Sequence, residues 1–201
     1  NYYHFFVRNF DDSRYRCRQQ KELAALSRER NTVILSVLAN QGITTGEVER
    51  INLNDVDLTK ATIKIRGGLH SNERIIPLTA TQIGLFMNYL QNTRPQIAEY
   101  QTKESEKLFL LLPRGSSKKT SSSKMGNVFT RLEKQLQSID KQFFNFIQIR
   151  ASVITFWLKT YGLRKTQYLT GHRYVSSTEA YQQNNLDNLI DDINKMHPFN
   201  L

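Results

Sequence analysis

The sequence predicts a mostly helical α+β domain with a small antiparallel β-sheet. Three observations carry this. Apolar residues recur at helical spacing over most of the chain, as in Val33, Ile34, Val37 and Leu38. The period changes to alternation in Thr62-Ile63-Lys64-Ile65-Arg66 and in Arg74-Ile75-Ile76-Pro77-Leu78. These two extended runs adjoin each other between helical blocks, an order that suits α+β and not repeated βα units.

The elements follow in chain order. Residues 1–20 are aromatic and basic (Tyr3, Phe5, Phe6, Arg8, Arg14, Arg16) and read as the end of a preceding domain or a linker. A helix is expected from about Leu23, with a second carrying Val33 to Leu38 and stopping before Asn40-Gln41-Gly42. Another starts near Thr45, where Thr-Gly-Glu-Val has the look of a capped turn. The alternating runs form a hairpin whose loop has about six residues, polar except for Leu69. An amphipathic helix spans Thr79 to Leu90, with Ile83, Phe86, Met87 and Leu90 on one face. Leu108 to Leu112 is a short apolar run, expected as a third strand. The Ser/Lys-rich stretch from Gly115 to Lys124 is a basic loop. Helices are expected at 127–136 and 148–161, with shorter ones near 164–169 and 177–183.

Composition narrows the partners. With 201 residues there is room for one substantial domain, and no apolar run nears the roughly 20 residues that cross a bilayer. The net charge is +10, which favours a polyanion because neutralising phosphates releases condensed counterions. Charge is also unevenly placed. Pro113 to Arg131 holds five basic residues and no acid, and so does Gln142 to Val175. Two segments of one sign indicate a directed field and not a generally solvated surface. Cys17 is the single cysteine, which leaves no intramolecular disulfide or cysteine-rich zinc site and suits a reducing cytoplasm, the expected location.

Three residues could carry chemistry together. Arg150 lies on a predicted helix, 22 residues before His172, and Tyr181 follows nine residues after that histidine. Arginine offers a planar fork that matches phosphate oxygens. Histidine can donate to a developing phosphorane or move a proton, and tyrosine can attack as a covalent nucleophile. Singly, each has a plainer reading: a surface arginine, a loop histidine, a packing tyrosine. Order and spacing make the set more than its parts.

That set lies in Leu169-Thr170-Gly171-His172-Arg173-Tyr174-Val175-Ser176-Ser177-Thr178-Glu179-Ala180-Tyr181, which closely resembles the C-terminal box of the tyrosine recombinases, the phage integrase family. Upstream, Arg30-Asn31 through Leu53 resembles the family's first box, and Ile63 to Leu78 its hairpin with the ending Glu73-Arg74-Ile75-Ile76-Pro77-Leu78. Gln148-Ile149-Arg150-Ala151-Ser152 stands where the family carries His-x-x-Arg-His, and Ile193 to Pro198 resembles a common ending. The resemblance implies an integrase-type catalytic domain over 21–201, with 1–20 the end of an N-terminal core-binding domain or its linker. It implies site-specific DNA recombination, such as integration of a mobile element, without metal or cofactor. Tyr181 would form a 3′-phosphotyrosyl link, Arg150 would be the second arginine, and His172 would donate to the phosphate. Arg173, Lys118, Lys119, Lys124, Arg66 and His70 would face double-stranded DNA. A homo-oligomer, tetrameric in the synapse, is the expected assembly, with no membrane.

The chain departs from the family pattern in three places. Gly42-Ile43-Thr44-Thr45-Gly46-Glu47-Val48 puts Thr44 where the first arginine belongs, while keeping the acidic Glu47. Ile147 replaces the histidine of His-x-x-Arg. Arg66-Gly67-Gly68-Leu69-His70 covers the hairpin turn without its lysine, leaving His70 or Lys64 as substitutes; Arg66 holds its proton too firmly to be an acid. Arg50 or a basic residue of the 114–124 loop stands in for the first arginine if the fold brings it near. Three readings follow: a divergent active recombinase, a degenerate homologue that binds DNA as an accessory or regulatory protein, or a protein outside DNA transactions that keeps the fold for protein contacts.

Overall fold

The computed structural model describes residues 17–113 and 124–182. The expected domain remnant before residue 17, Lys118, Lys119 and the C-terminal ending lie outside those residues. The described residues open with one long helix, α1 (Arg18–Gln41), where two were expected. No glycine or proline interrupts residues 18–41, so nothing in the backbone stops the helix from continuing. Its second half is the centre of the fold: Val33, Ile34, Leu35, Val37 and Leu38 are all buried. Arg30 is buried with them, its donors spent on Asn31 Oδ1, Leu110 O and Ser27 Oγ. Burial lowers its pKa to about 10, which still leaves it charged at neutral pH.

A short helix, α2 (Thr45–Arg50), follows at once. Thr44 caps it, accepting from the Glu47 backbone N–H while the Glu47 carboxylate accepts from that of Thr44. Three antiparallel strands come next, β1 (Val56–Asp57), β2 (Thr62–Ile65) and β3 (Arg74–Pro77), in the order β1-β2-β3. The hairpin register pairs Ile63 with Ile76 and Lys64 with Ile75. Ile63, Ile65 and Ile76 are buried while Ile75 stays exposed, so one face packs on the core.

The third strand is therefore Val56–Asp57 and not Leu108 to Leu112, which corrects the expectation. Leu108, Phe109 and Leu110 are buried as expected of an apolar run. Their carbonyls, however, are taken by side chains: Leu108 O by Tyr89 and Arg94, Leu110 O by Arg30 and Leu111 O by Gln101. Satisfied this way, the segment does not need a strand partner. A single bridge, Asn52 to Lys107, ties it to the sheet side.

Helix α3 (Ala80–Asn88) is capped by Thr79 and passes through a wider turn, Tyr89–Thr93, into α4 (Arg94–Ala98). Its inner face is Gln82, Phe86 and Tyr89; Met87, expected inside, is exposed. Gln82 and Gln41 exchange two amide hydrogen bonds, fastening α3 to the end of α1. Helix α5 (Met125–Ile139) buries Met125, Val128, Phe129, Leu132 and Leu136, a stripe at helical spacing.

The last long segment, α6 (Phe146–Thr170), is two helices joined at Gly162, whose φ of 75° and ψ of 177° are not helical. That backbone conformation is nearly confined to glycine. The separation expected between 148–161 and 164–169 therefore exists, as a sharp break without a loop. A further helical turn, α7, covers residues 176–182.

Candidate active site

The break at Gly162 determines the site. Arg150 precedes it and Thr170 follows it, yet Arg150 Nη2 donates to Thr170 O at 3.1 Å across 20 residues. An unbroken helix would separate those positions by about 30 Å. Arg150 Nη1 also donates to Gly42 O, so the end of α1, the start of α6 and the end of α6 meet at one guanidinium.

A buried ion pair lies behind it. Arg74, on β3, donates from Nη1 to Glu47 Oε1 at 2.7 Å and from Nη2 to Oε2 at 3.3 Å. Neither side chain is more than 2% exposed. Arg74 Nε donates to Leu169 O at 2.7 Å, which joins the sheet to the same end of α6. Glu47 lies 3.7 Å from Arg150 as well. Burial pushes the Glu47 carboxyl pKa up, but the Arg74 hydrogen bond and charge, with the Thr44 N–H and Arg150, outweigh it and leave the pKa lowered. Charge on Glu47 is thus held by two arginines.

His172 stands on the opposite side of Arg150. Its Nε2 is 3.2 Å from Arg150 Nη2, and its Nδ1 is 2.9 Å from Thr178 Oγ1. A guanidinium only donates, so Nε2 carries the lone pair and Nδ1 the proton, donated to Thr178; this tautomer is assigned from the network. Burial, then the Arg150 and Arg74 charges, lower the His172 pKa to about 4. The ring of Tyr181 stacks on the imidazole at 6.0 Å between centroids, tilted by 16°. Burial lowers the Arg150 pKa, and the charge of Glu47 and then the nearby Tyr181 phenol oppose that lowering.

The hairpin loop is fastened to this cluster. Ser71 bridges to His172, and Asn72 N–H donates to Gly171 O at 2.8 Å. Arg173 Nη2 donates to Gly68 O at 3.3 Å. Arg150, His172 and Tyr181 thus meet, with Arg173 at the rim.

The other sequence-predicted residues do not join the cluster. Arg66 Nε is paired with Asp55 at 2.8 Å, and Lys64 Nζ with Glu73 at 2.9 Å. His70 is exposed on the loop, and Lys124 is exposed at the start of α5. Thr44 spends its side chain as a helix cap, and Ile147 points outward, 72% exposed. Arg74 and Thr178 were not anticipated as part of the site. The only signal for Arg74 was its place in the run Glu73 to Leu78, and nothing local distinguished Thr178 from Ser176 or Ser177 as a cap. Among the described residues no group of acidic, histidine and cysteine side chains could hold a metal ion. None of their helices is long and apolar enough to cross a membrane.

Comparison with known proteins places this arrangement. The model of the phage integrase family matches residues 16–187. A tyrosine recombinase XerC of Oceanobacillus iheyensis is 25% identical over 177 residues, which cover 85% of this chain and 54% of the relative. The chain spans about half the length of the curated relatives it matches. Among solved structures, the XerA recombinase aligns with a TM-score of 0.63 at 21% identity, covering 94% of this chain and 66% of that one. The XerH site-specific recombinase, bound to a palindromic difH substrate in a post-cleavage complex, aligns with a TM-score of 0.66 at 17% identity, covering 95% and 49%. Both structural likenesses support the fold.

Proposed function

The chain belongs to the phage integrase family, and on that premise we propose that it cuts and rejoins double-stranded DNA through a 3′-phosphotyrosyl intermediate. One observation carries the reading: Arg150, His172 and Tyr181, spread over 32 positions of sequence, converge on one guanidinium. In the proposed step the Tyr181 oxygen bonds to a backbone phosphorus and loses its proton. The bond to the 5′ oxygen breaks, and that oxygen takes up a proton. Because one phosphodiester replaces another, a 5′ hydroxyl can reverse the step without an external energy source.

Arg150 is proposed to bind the phosphate with donors now spent on backbone carbonyls and on His172. An arriving anion would remove that donor from His172 Nε2 and place negative charge beside the ring. Both effects raise the imidazole pKa, allowing His172 to donate to a nonbridging oxygen. Arg173, His70 and Lys124, with Lys118, Lys119 and the Asp55-paired Arg66, are proposed to track backbone phosphates, and the synapse to be a homotetramer. The degenerate, non-cleaving alternative draws support from Thr44, which caps a helix where the family pattern asks for an arginine.

The test is a nicked DNA duplex whose cleaved end diffuses away, built with a pool of candidate sites. Covalent adducts are scored on a denaturing gel for the wild type and for Tyr181→Phe. The expected result is an adduct that disappears in the variant. Salt-sensitive binding with no adduct from either protein would instead support the non-cleaving reading.

A further inference from the structure

Arg50 ends α2, and its side chain runs back along the helix toward the N-terminus, as helical side chains do. Its Nη1 lies 3.6 Å from where a Cβ on Gly46 would stand, one turn earlier. Its Nη2 and Cζ lie 3.0 Å and 3.4 Å from the corresponding point on Gly68. The guanidinium is thus lodged between the first turn of α2 and the hairpin turn. A side chain at 68 would press on it, whereas one at 46 would only reach ordinary contact.

Two further facts set Arg50 apart. Its Nε is buried and has no hydrogen-bond partner, and among the described residues Arg50 has no ion pair. Arg30, Arg66, Arg74, Arg94, Arg150 and Arg173 all donate to named acceptors. A partly buried cation with an unmet donor is costly unless an anion completes it. The place is also informative. Gly68, against which the guanidinium lies, accepts from Arg173, and its loop bridges to His172 through Ser71. This is the turn where the family resemblance asks for a lysine, and the near end of α2 is where it asks for an arginine.

We propose that Arg50 is a catalytic residue of the DNA reaction, supplying from the end of α2 the phosphate-binding charge that Thr44 and the lysine-free turn omit. The inference rests on the DNA-cleavage reading above for its reaction, and on phosphate contact alone for its binding. Arginine keeps its proton, so the role is a charged two-pronged grip on the scissile phosphate and not proton donation. The assignment gives the site a second phosphate-binding cation, carried beside the hairpin turn whose Ser71 bridges to His172.

Two measurements on the full-length protein test it, with wild type, Arg50→Met and Arg50→Lys. The first is binding to a mixed-sequence duplex between 50 and 200 mM salt, ranges in which each phosphate contact contributes about 0.9 to the slope of log K against log salt. Arg50→Met is expected to reduce the slope by about that amount, and Arg50→Lys to preserve it. The second is adduct yield on the nicked pool, where Arg50→Met is expected to lose roughly 100–1000-fold and Arg50→Lys about tenfold, the cost of the lost fork. Replacing the scissile phosphate by an uncharged methylphosphonate should narrow the gap between wild type and Arg50→Met, a response that a merely structural arginine would not produce. An unchanged salt slope in Arg50→Met overturns the phosphate contact, whether or not the wild type cleaves. Wild-type adduct matched by Arg50→Met overturns the catalytic role and leaves the cleavage reading standing. Absence of wild-type adduct overturns the cleavage reading and the catalytic role with it, while the slope still decides the contact. Should Arg50→Met fail to fold, Arg50→Lys decides through its adduct yield, and equality with wild type counts against the proposal.

Discussion

Gly162→Ala perturbs a backbone position on which the site's assembly depends, the break that folds α6 back on itself. Gly162 has φ 75° and ψ 177°, and a Cβ added there would meet nothing within 4 Å. Steric clash is therefore absent, and the whole effect comes from the backbone. A non-glycine residue in that region costs about 1–3 kcal/mol. For a chain of this size, each kcal/mol moves Tm by roughly 2–4 °C, so a loss of about 2–12 °C is expected. Urea unfolding should show the same loss as a lower midpoint with an unchanged slope. Alanine also favours helix over glycine by about 1 kcal/mol. The chain can escape the strain only by straightening α6, which would draw Arg150 away from Thr170 and His172. Adduct formation should consequently fall by more than the loss of stability explains. A variant within about 0.5 kcal/mol of wild type, the range of an ordinary surface change, with full adduct yield, would refute the reasoning.

Two further outcomes are expected. Arg74→Met leaves Glu47 buried without its main partner and should cost about 3–5 kcal/mol, whereas Arg74→Met with Glu47→Leu should recover much of it, as urea denaturation of both variants would show. His172 has a folded pKa of about 4 against 6.5 for the free side chain, so its contribution to stability is present above pH 6.5 and lost as pH falls toward 4. Replacing it, as in His172→Gln, should flatten the stability profile across that window, as measured by thermal melts at a series of pH values.

Local pattern was enough for much of the fold. The helical period of Val33 to Leu38, the alternation in Thr62 to Arg66 and the capped start at Thr45 each depend on residues near in sequence; all three are of the expected type, though the first lies in one continuous helix and the cap itself is Thr44. Leu108 to Leu112 failed for the opposite reason. Whether an apolar run becomes a strand depends on what meets its carbonyls, and those partners, Tyr89, Arg94, Arg30 and Gln101, come from elsewhere in the chain. Met87 failed similarly, since periodicity places residues on a face but does not say how much of that face is covered.

The site divides the same way. Arg150, His172 and Tyr181 could be picked out as candidates because chemistry restricts residue type, and the resemblance restricts order and spacing. Tertiary structure alone decided how they meet. It broke α6 at Gly162, set Arg74 and Glu47 behind Arg150, and fixed the His172 tautomer between Arg150 and Thr178. It also separated the candidate cations: Arg66 and Lys64 into ion pairs, Arg50 into a glycine-lined niche beside the hairpin turn. A sequence records which charges exist, but their effect depends on distance and burial, and these are set only when remote segments pack.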